Sequence, residues 1–153
     1  MYYSKIKQKD IFMHTDFPME LITGIEQIDI QHMELIARIK MLHESYLSGT
    51  NTEKLKETFD YIRCYIDEHF ETEEKYMTEL NYSHIKRHIK AHREFTADYL
   101  NFEKLFKKDG LSSDFTLDFN VKLINWLKDH VFKEDIVLAN FIREKTQKKE
   151  KKI

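Results

Sequence analysis

Little in this sequence can interrupt a helix. One proline and three glycines stand among 153 residues, and these two residue types are the ones that most often end helices and shape tight turns. Their scarcity argues against a many-stranded β fold and for long helices. Cysteine is almost missing too. Cys64 stands alone, so no internal disulfide can form, which fits a reducing compartment. There is no run of about 18 apolar residues, so no membrane span is expected. The opening MYYSKIKQKDIFM lacks an apolar stretch and a small-residue cleavage site, so no secretion signal is expected and the cytoplasm is the expected location. Excess charge is absent as well. A net charge of −2 is too small to recruit nucleic acid or a membrane surface by its field, and neither partner is expected.

What is present is apolar, aromatic and periodic. Hydrophobic residues make up 41% and charged residues 34%, the balance of a soluble globular protein. Eleven Phe and eight Tyr point to an aromatic interior. The length suits one domain, residues 1–153, with a core of its own. Residues 1–24 are weakly periodic, carry Pro18 and Gly24, and read as a non-helical arm across the bundle. His14 falls in that arm with nothing at ligand spacing beside it and reads as a surface residue. The tail KTQKKEKKI reads as a solvated, fraying end.

Apolar residues recurring every three or four positions predict four helices and an all-α fold. The first spans about 26–47, with a stripe of Ile28, His32, Leu35, Ile39, Leu42 and Tyr46. Ser48, Gly49, Thr50 and Asn51 make a turn, and Thr50 with Glu53 fits a capping box. The second spans 52–79, with Phe59, Ile62, Ile66, His69, Glu73, Met77 and Leu80 inward. Cys64 lies off that stripe and reads as a small packing residue. The chain should reverse near Leu80–Asn81. The third runs from Ser83, its expected N-cap, to about 107, with Ile85, His88, His92, Phe95, Tyr99, Phe102 and Phe106 inward and Gly110 just past its end. The fourth spans about 114–146 and shows two adjacent seams. One holds Phe119, Leu123, Trp126, His130, Val137 and Phe141. The other holds Ile124, Leu127, Val131, Asp135, Leu138 and Ile142.

Each stripe is broken by groups that do not belong in an apolar core. His69 and Glu73 are four apart, as are His88 and His92, so each pair faces one way on its helix. In an antiparallel hairpin reversing near Asn81 the two pairs lie at equal depth. His32 enters from the first helix, and His130 with Asp135 from the fourth. A buried unpaired carboxylate costs several kcal/mol, so Glu73 needs a cation or metal, or its proton. Depth excludes His84, a turn away, and His43, about 16 Å beyond His32 at a 1.5 Å rise. Glu71, Glu74 and Lys75 read as the solvated face. His130 and Asp135 are five apart, about 140° on an ideal helix; neighbouring seams could give one ligand each to metals lying side by side, and a local π widening would also help. Glu134 is the rival at the simpler spacing but lies toward the wet face, and Asp135 ranks above it.

His32, His69, Glu73, His88, His92, His130 and Asp135 thus offer five imidazoles and two carboxylates, too many for one metal. Two metals of about six positions each would be nearly filled by them, with both carboxylates bridging and a bridging oxide or hydroxide. One position stays open, on one metal, as suits a small-molecule binding site.

The segments GIEQIDIQH (24–32), HFETEE (69–74), HIKAH (88–92) and WLKDHVFKED (126–135) resemble those of the hemerythrins, most closely the bacteriohemerythrins, over about residues 15–140. Phe17 stands where the family's arm commonly carries a tryptophan. The resemblance implies an up-down-up-down antiparallel four-helix bundle and a non-haem di-iron centre that binds O2 reversibly, without enzymatic turnover, for carriage, storage or delivery. It implies one iron on His88, His92 and His130. The other is on His32 and His69, with the open position, and Glu73 and Asp135 bridge beside an oxo or hydroxo group. A monomer is expected, with an unidentified protein partner for delivery. Trp126, Ile28, Leu35, Phe70 and Met77 are the expected pocket lining by their spacing from the ligands. Sensing of O2, nitric oxide or iron, and a di-iron oxidase or peroxidase-type activity, are the competing functions. The second is disfavoured by a histidine-rich site with no Glu-x-x-His motif.

Overall fold

The computed structural model describes residues 19–49, 52–109 and 113–150. Four helical rods account for nearly all of them. They are α1 (Glu26–Leu47), α2 (Thr52–Glu79), α3 (Ile85–Asp109), and a fourth rod made of α4 (Ser113–His130), a π turn (Val131–Asp135) and α5 (Ile136–Glu150). A 3-10 turn, Met19–Leu21, ends the N-terminal arm. No strand occurs among the described residues, and no helix there is long and apolar enough to cross a membrane. The rods are joined by a few residues each, so sequential neighbours must run antiparallel. The result is an all-α, up-down-up-down four-helix bundle. His14, Phe17, Pro18, Thr50 and Gly110, and the side chains of His43, Tyr46 and Phe119, lie outside the described residues.

The reversal between α2 and α3 is built by its sequence. Asn81 takes φ 52°, a left-handed conformation that asparagine tolerates better than most side chains. Tyr82 then donates its N–H to the Met77 carbonyl (2.9 Å) and Asn81 to that of Thr78 (3.3 Å). These two bonds satisfy carbonyls that the end of α2 would otherwise leave open. Tyr82 is buried against Met77 in the same apolar cluster, which fixes the angle of exit. α3 begins at Ile85, two residues later than the sequence suggested, and Ser83 is an exposed turn residue rather than its cap. The reason is local: the helix-ending bonds use residues up to Tyr82, and the first α3 bonds run to the His84 carbonyl. At the start of α1, Asp29 accepts hydrogen bonds from the Thr23 N–H (2.8 Å), the Thr23 hydroxyl (2.7 Å) and the Gly24 N–H (3.0 Å). It anchors the end of the arm to the first helical turn.

The core divides into two apolar clusters. The larger includes Leu35, Ile39, Leu42, Phe59, Ile62, Ile66, Phe95, Tyr99, Phe106 and Leu127. The smaller is Ile28, Met77, Tyr82, Leu138 and Ile142. On every rod buried polar residues interrupt the apolar stripe: His32 between Ile28 and Leu35, and His69 with Glu73 between Ile66 and Met77. His88 and His92 precede Phe95, and His130 with Asp135 separates Leu127 from Leu138. A buried polar layer therefore crosses the bundle. Full burial of a large apolar side chain contributes about 1.5–3 kcal/mol, so the two clusters hold the layer in place. Tyr99 adds a hydrogen bond to the Phe59 carbonyl (2.8 Å), tying α3 to α2. One expected core position, Val137, is exposed, and Cys64, off the stripe as expected, is exposed rather than packed. Cys64 lies outside the packed stripe of α2. Val137 follows the π turn, whose extra residue shifts the phase of the rod and turns Val137 outward, while Leu138 and Ile142 face inward as expected.

Candidate metal centre

The structure brings all seven side chains together. His32, His69, Glu73, His88, His92, His130 and Asp135 are each at most 5% exposed. Two groups of donor atoms form within 4.8 Å of one another. One is Glu73, His88, His92 and His130, and the other is His32, His69, Glu73 and Asp135. Glu73 belongs to both. Its Oε2 lies 3.2 Å from Nε2 of His88, 3.2 Å from Nε2 of His92 and 3.8 Å from Nε2 of His69. Asp135 faces both ways. Its Oδ1 is 3.1 Å from Nε2 of both His88 and His130, while its Oδ2 is 3.0 Å from Nε2 of His32.

The π turn makes this last arrangement feasible. The Ile136 N–H bonds to the Val131 carbonyl, five residues back, so an additional residue is fitted into the turn. His130 and Asp135 then share a face that an α-helix would deny them. Glu134, the rival for that role, is turned away and pairs with Arg87 at 2.9 Å. His84 is exposed and meets the Tyr82 ring edge-on; it takes no part in the cluster.

Burial and crowding set the charges of the metal-free layer. Burial, with Asp135 beside it, raises the Glu73 carboxyl to about 8, so it holds its proton at neutral pH. Asp135 goes the other way. Burial opposes its charge, but His130 and the neighbouring His32 and His88 outweigh that and hold it well below the ordinary carboxylate range. Burial depresses His88 as well, yet its contacts with Asp135 and Glu73 prevail and raise it to about 9. Burial and the adjacent imidazoles lower His92 to about 2 and His69 well below its usual value.

The donor set fits a pair of metal ions. Among the described residues, eight buried side-chain polar atoms lack a hydrogen bond, and all but Tyr82 Oη belong to His32, His69, Glu73, His88 and Asp135. Each such atom costs about 1–3 kcal/mol when left unsatisfied. Nε2 of His88 and Nε2 of His130 lie 3.2 Å apart, close enough to converge on one point between them. Imidazole nitrogens with carboxylates suit first-row transition metals. Aromatic rings wall the cluster. Phe70 stacks on His92 with centroids 3.7 Å apart, Trp126 stacks on His130 at 4.5 Å, and Phe95 backs Trp126 at 3.7 Å. Of the other expected lining residues, Ile28 and Met77 lie in the smaller cluster and Leu35 in the larger.

Two polar side chains outside the seven also reach ligand imidazoles, and the helix stripes do not mark either as a contributor. Gln31 Oε1 faces Nδ1 of His69 at 3.3 Å, and its Nε2 donates to the Thr72 hydroxyl at 3.0 Å. Glu74, expected on the solvated face, has Oε1 3.1 Å from Nδ1 of His92. Their adjacency to His32 and Glu73 was the available signal.

Comparison with known proteins points to one family. The family profile of the hemerythrin HHE cation binding domain matches residues 23–142, more than half of the chain. A bacteriohemerythrin of Pseudomonas paraeruginosa is 25% identical over 130 residues, covering 85% of this chain and 82% of its own. A bacteriohemerythrin of Campylobacter jejuni is 27% identical over 122 residues, covering 79% of this chain and 90% of its own. A crystal structure of wild-type hemerythrin superposes with a TM-score of 0.69 at 22% identity, over 78% of this chain and 90% of that one. It supports the bundle fold.

Proposed function

The chain belongs to the hemerythrin family, and on that footing we propose that it binds O2 reversibly at a non-haem di-iron centre, for oxygen carriage, storage or delivery. In this reading the whole chain is one such domain, acting as a non-enzymatic monomer in the cytoplasm. His88, His92 and His130 would hold one iron and His32 and His69 the other, with Glu73 and Asp135 serving both. The observation that carries the reading is the posture of the carboxylates: Asp135 turns one oxygen to each side of the layer, and Glu73 is common to both donor groups.

An iron pair, when bound, supplies the electrons that O2 takes up on binding and returns on release. The protein's own part is to hold the donors and keep water out. His69 is oriented by Gln31 and His92 by Glu74. Phe70 covers the imidazole of His92, and Trp126, backed by Phe95, covers that of His130. Such an apolar wall slows proton delivery and ligand loss, the two events that would end reversibility.

The test is spectroscopic. Purified protein should contain about two irons per chain. The reduced form should gain visible absorption in air and lose it under vacuum over repeated cycles. A single irreversible change on first exposure to air would overturn the carrier reading.

A further inference from the structure

We propose that Glu74 is a positioning residue for the metal pair: it accepts the Nδ1–H of His92, turns Nε2 toward the centre, and makes the two metal positions electronically unequal. The inference rests on the di-iron reading above. For His92 to offer Nε2 to a metal, its other nitrogen must carry the proton, and that proton needs an acceptor. Glu74 Oε1 is that acceptor, 3.1 Å from Nδ1, while Nε2 lies 3.2 Å from Glu73. The ring is held a third way by Phe70, stacked 3.7 Å away at an interplanar angle of 9°. Adjacent residues on one helix thus take opposite ends of one imidazole on the next.

The corresponding partner on the other side is neutral. Nδ1 of His69 meets the amide oxygen of Gln31 at 3.3 Å. His69 and His92 belong to different donor groups. A carboxylate partner raises the basicity of a ligating imidazole more than an amide does. The metal held with His92 is therefore favoured in its more highly charged state, and the metal held with His69 is not. Glu74 sits at the water's edge, with 38% of its side chain exposed. It lines a surface groove with Asp67, Phe70, His92, Arg93 and Thr96. Solvent screens it in part, so the effect is of tenfold scale rather than all-or-none.

Two variants separate geometry from charge. Glu74→Gln keeps an acceptor and removes the charge; Glu74→Ala removes both. Three readouts apply to the full chain: Co(II) affinity of the metal-free protein by chelator competition, the midpoint potential of the iron-loaded protein, and the His92 tautomer in the metal-free protein by nitrogen NMR. Glu74→Ala should weaken Co(II) binding about 10–100-fold and lose the Nδ1–H tautomer. Glu74→Gln should keep the tautomer and the iron content. Its potential should rise by about 59 mV for each tenfold loss of ferric preference in a one-electron step. The proposal is overturned by wild-type Co(II) affinity in Glu74→Ala, by an unmoved potential in Glu74→Gln, or by a wild-type His92 without the Nδ1 proton. A wild type that takes up no metal refutes the di-iron reading and this one together. A wild type that loads normally while Glu74→Ala matches it refutes this one alone.

Discussion

Replacing Glu73 by Gln should stabilise the metal-free protein even as it weakens the hold on metal. The folded carboxyl keeps its proton to about 8, against 4.5 for the exposed group, because it is buried and faces Asp135. Below 4.5 the group is protonated in both the folded and unfolded chains, and it contributes no pH dependence. Between 4.5 and 8 the unfolded chain has released a proton that the folded chain retains, so stability falls as pH rises. The slope is at most about 1.36 kcal/mol per unit for one proton. At pH 7 the accumulated loss is about 3 kcal/mol. Glutamine has nearly the same shape, is neutral throughout, and escapes that loss. Urea denaturation of both proteins in the presence of a chelator measures it. The variant should be more stable by about 3 kcal/mol at pH 7 and by less than about 1 kcal/mol at pH 5. With metal loaded the order should reverse, since binding to the native state stabilises by its own free energy and the variant lacks a bridging carboxylate. A gap of equal size at both pH values, or a less stable metal-free variant at pH 7, would refute the reasoning.

Metal loading at pH 7 should expel the protons that Glu73 holds to about 8 and His88 to about 9; calorimetry in buffers of different ionisation heat should report about two protons released per chain. Burial, with Glu103 next, raises the Tyr99 hydroxyl above its ordinary range, so it stays protonated when the unfolded chain's tyrosines ionise above about pH 10. Stability should therefore fall with rising pH there. Tyr99→Phe should remove its share of that fall, at a loss of about 1 kcal/mol at neutral pH from the Phe59 carbonyl's missing donor, as denaturation between pH 7 and 11 would show. Asn81→Gly relieves a left-handed φ of 52° and should raise stability by up to about 1 kcal/mol, whereas Asn81→Val should lower it, both read from thermal melts.

The sequence exposed the polar layer because a helix stripe is a strong pattern and its interruptions are conspicuous. His32 and Glu73 stand where only Leu or Ile would be neutral. Depth along antiparallel helices sufficed to set aside His84, which is exposed, and the turn at Asn81 defined that depth. What stayed hidden depends on interhelical geometry or on departures from an ideal helix. Glu74 is one residue from Glu73 and about 100° around the helix, a direction that reads as solvent. Only the approach of α3 turns that seam into a contact with His92. Ser83 is a good cap by composition, but the end of α2 claims the turn up to Tyr82 and moves the start of α3 to Ile85. Val137 faces inward on an unbroken α-helix and outward on a rod with one residue added.

The π turn links these observations. An α-helical fourth rod would set His130 and Asp135 about 140° apart, and no straight seam could present both to the layer. Widening the turn recruits both, at the expense of weaker local hydrogen bonding. It also resets the phase, so that Leu138 and Ile142 meet Ile28 and Met77 in the small cluster beyond the layer. The distortion and the packing that stabilises it are thus one feature, and Asp135 can turn an oxygen to each side because the chain below it is packed to keep it there.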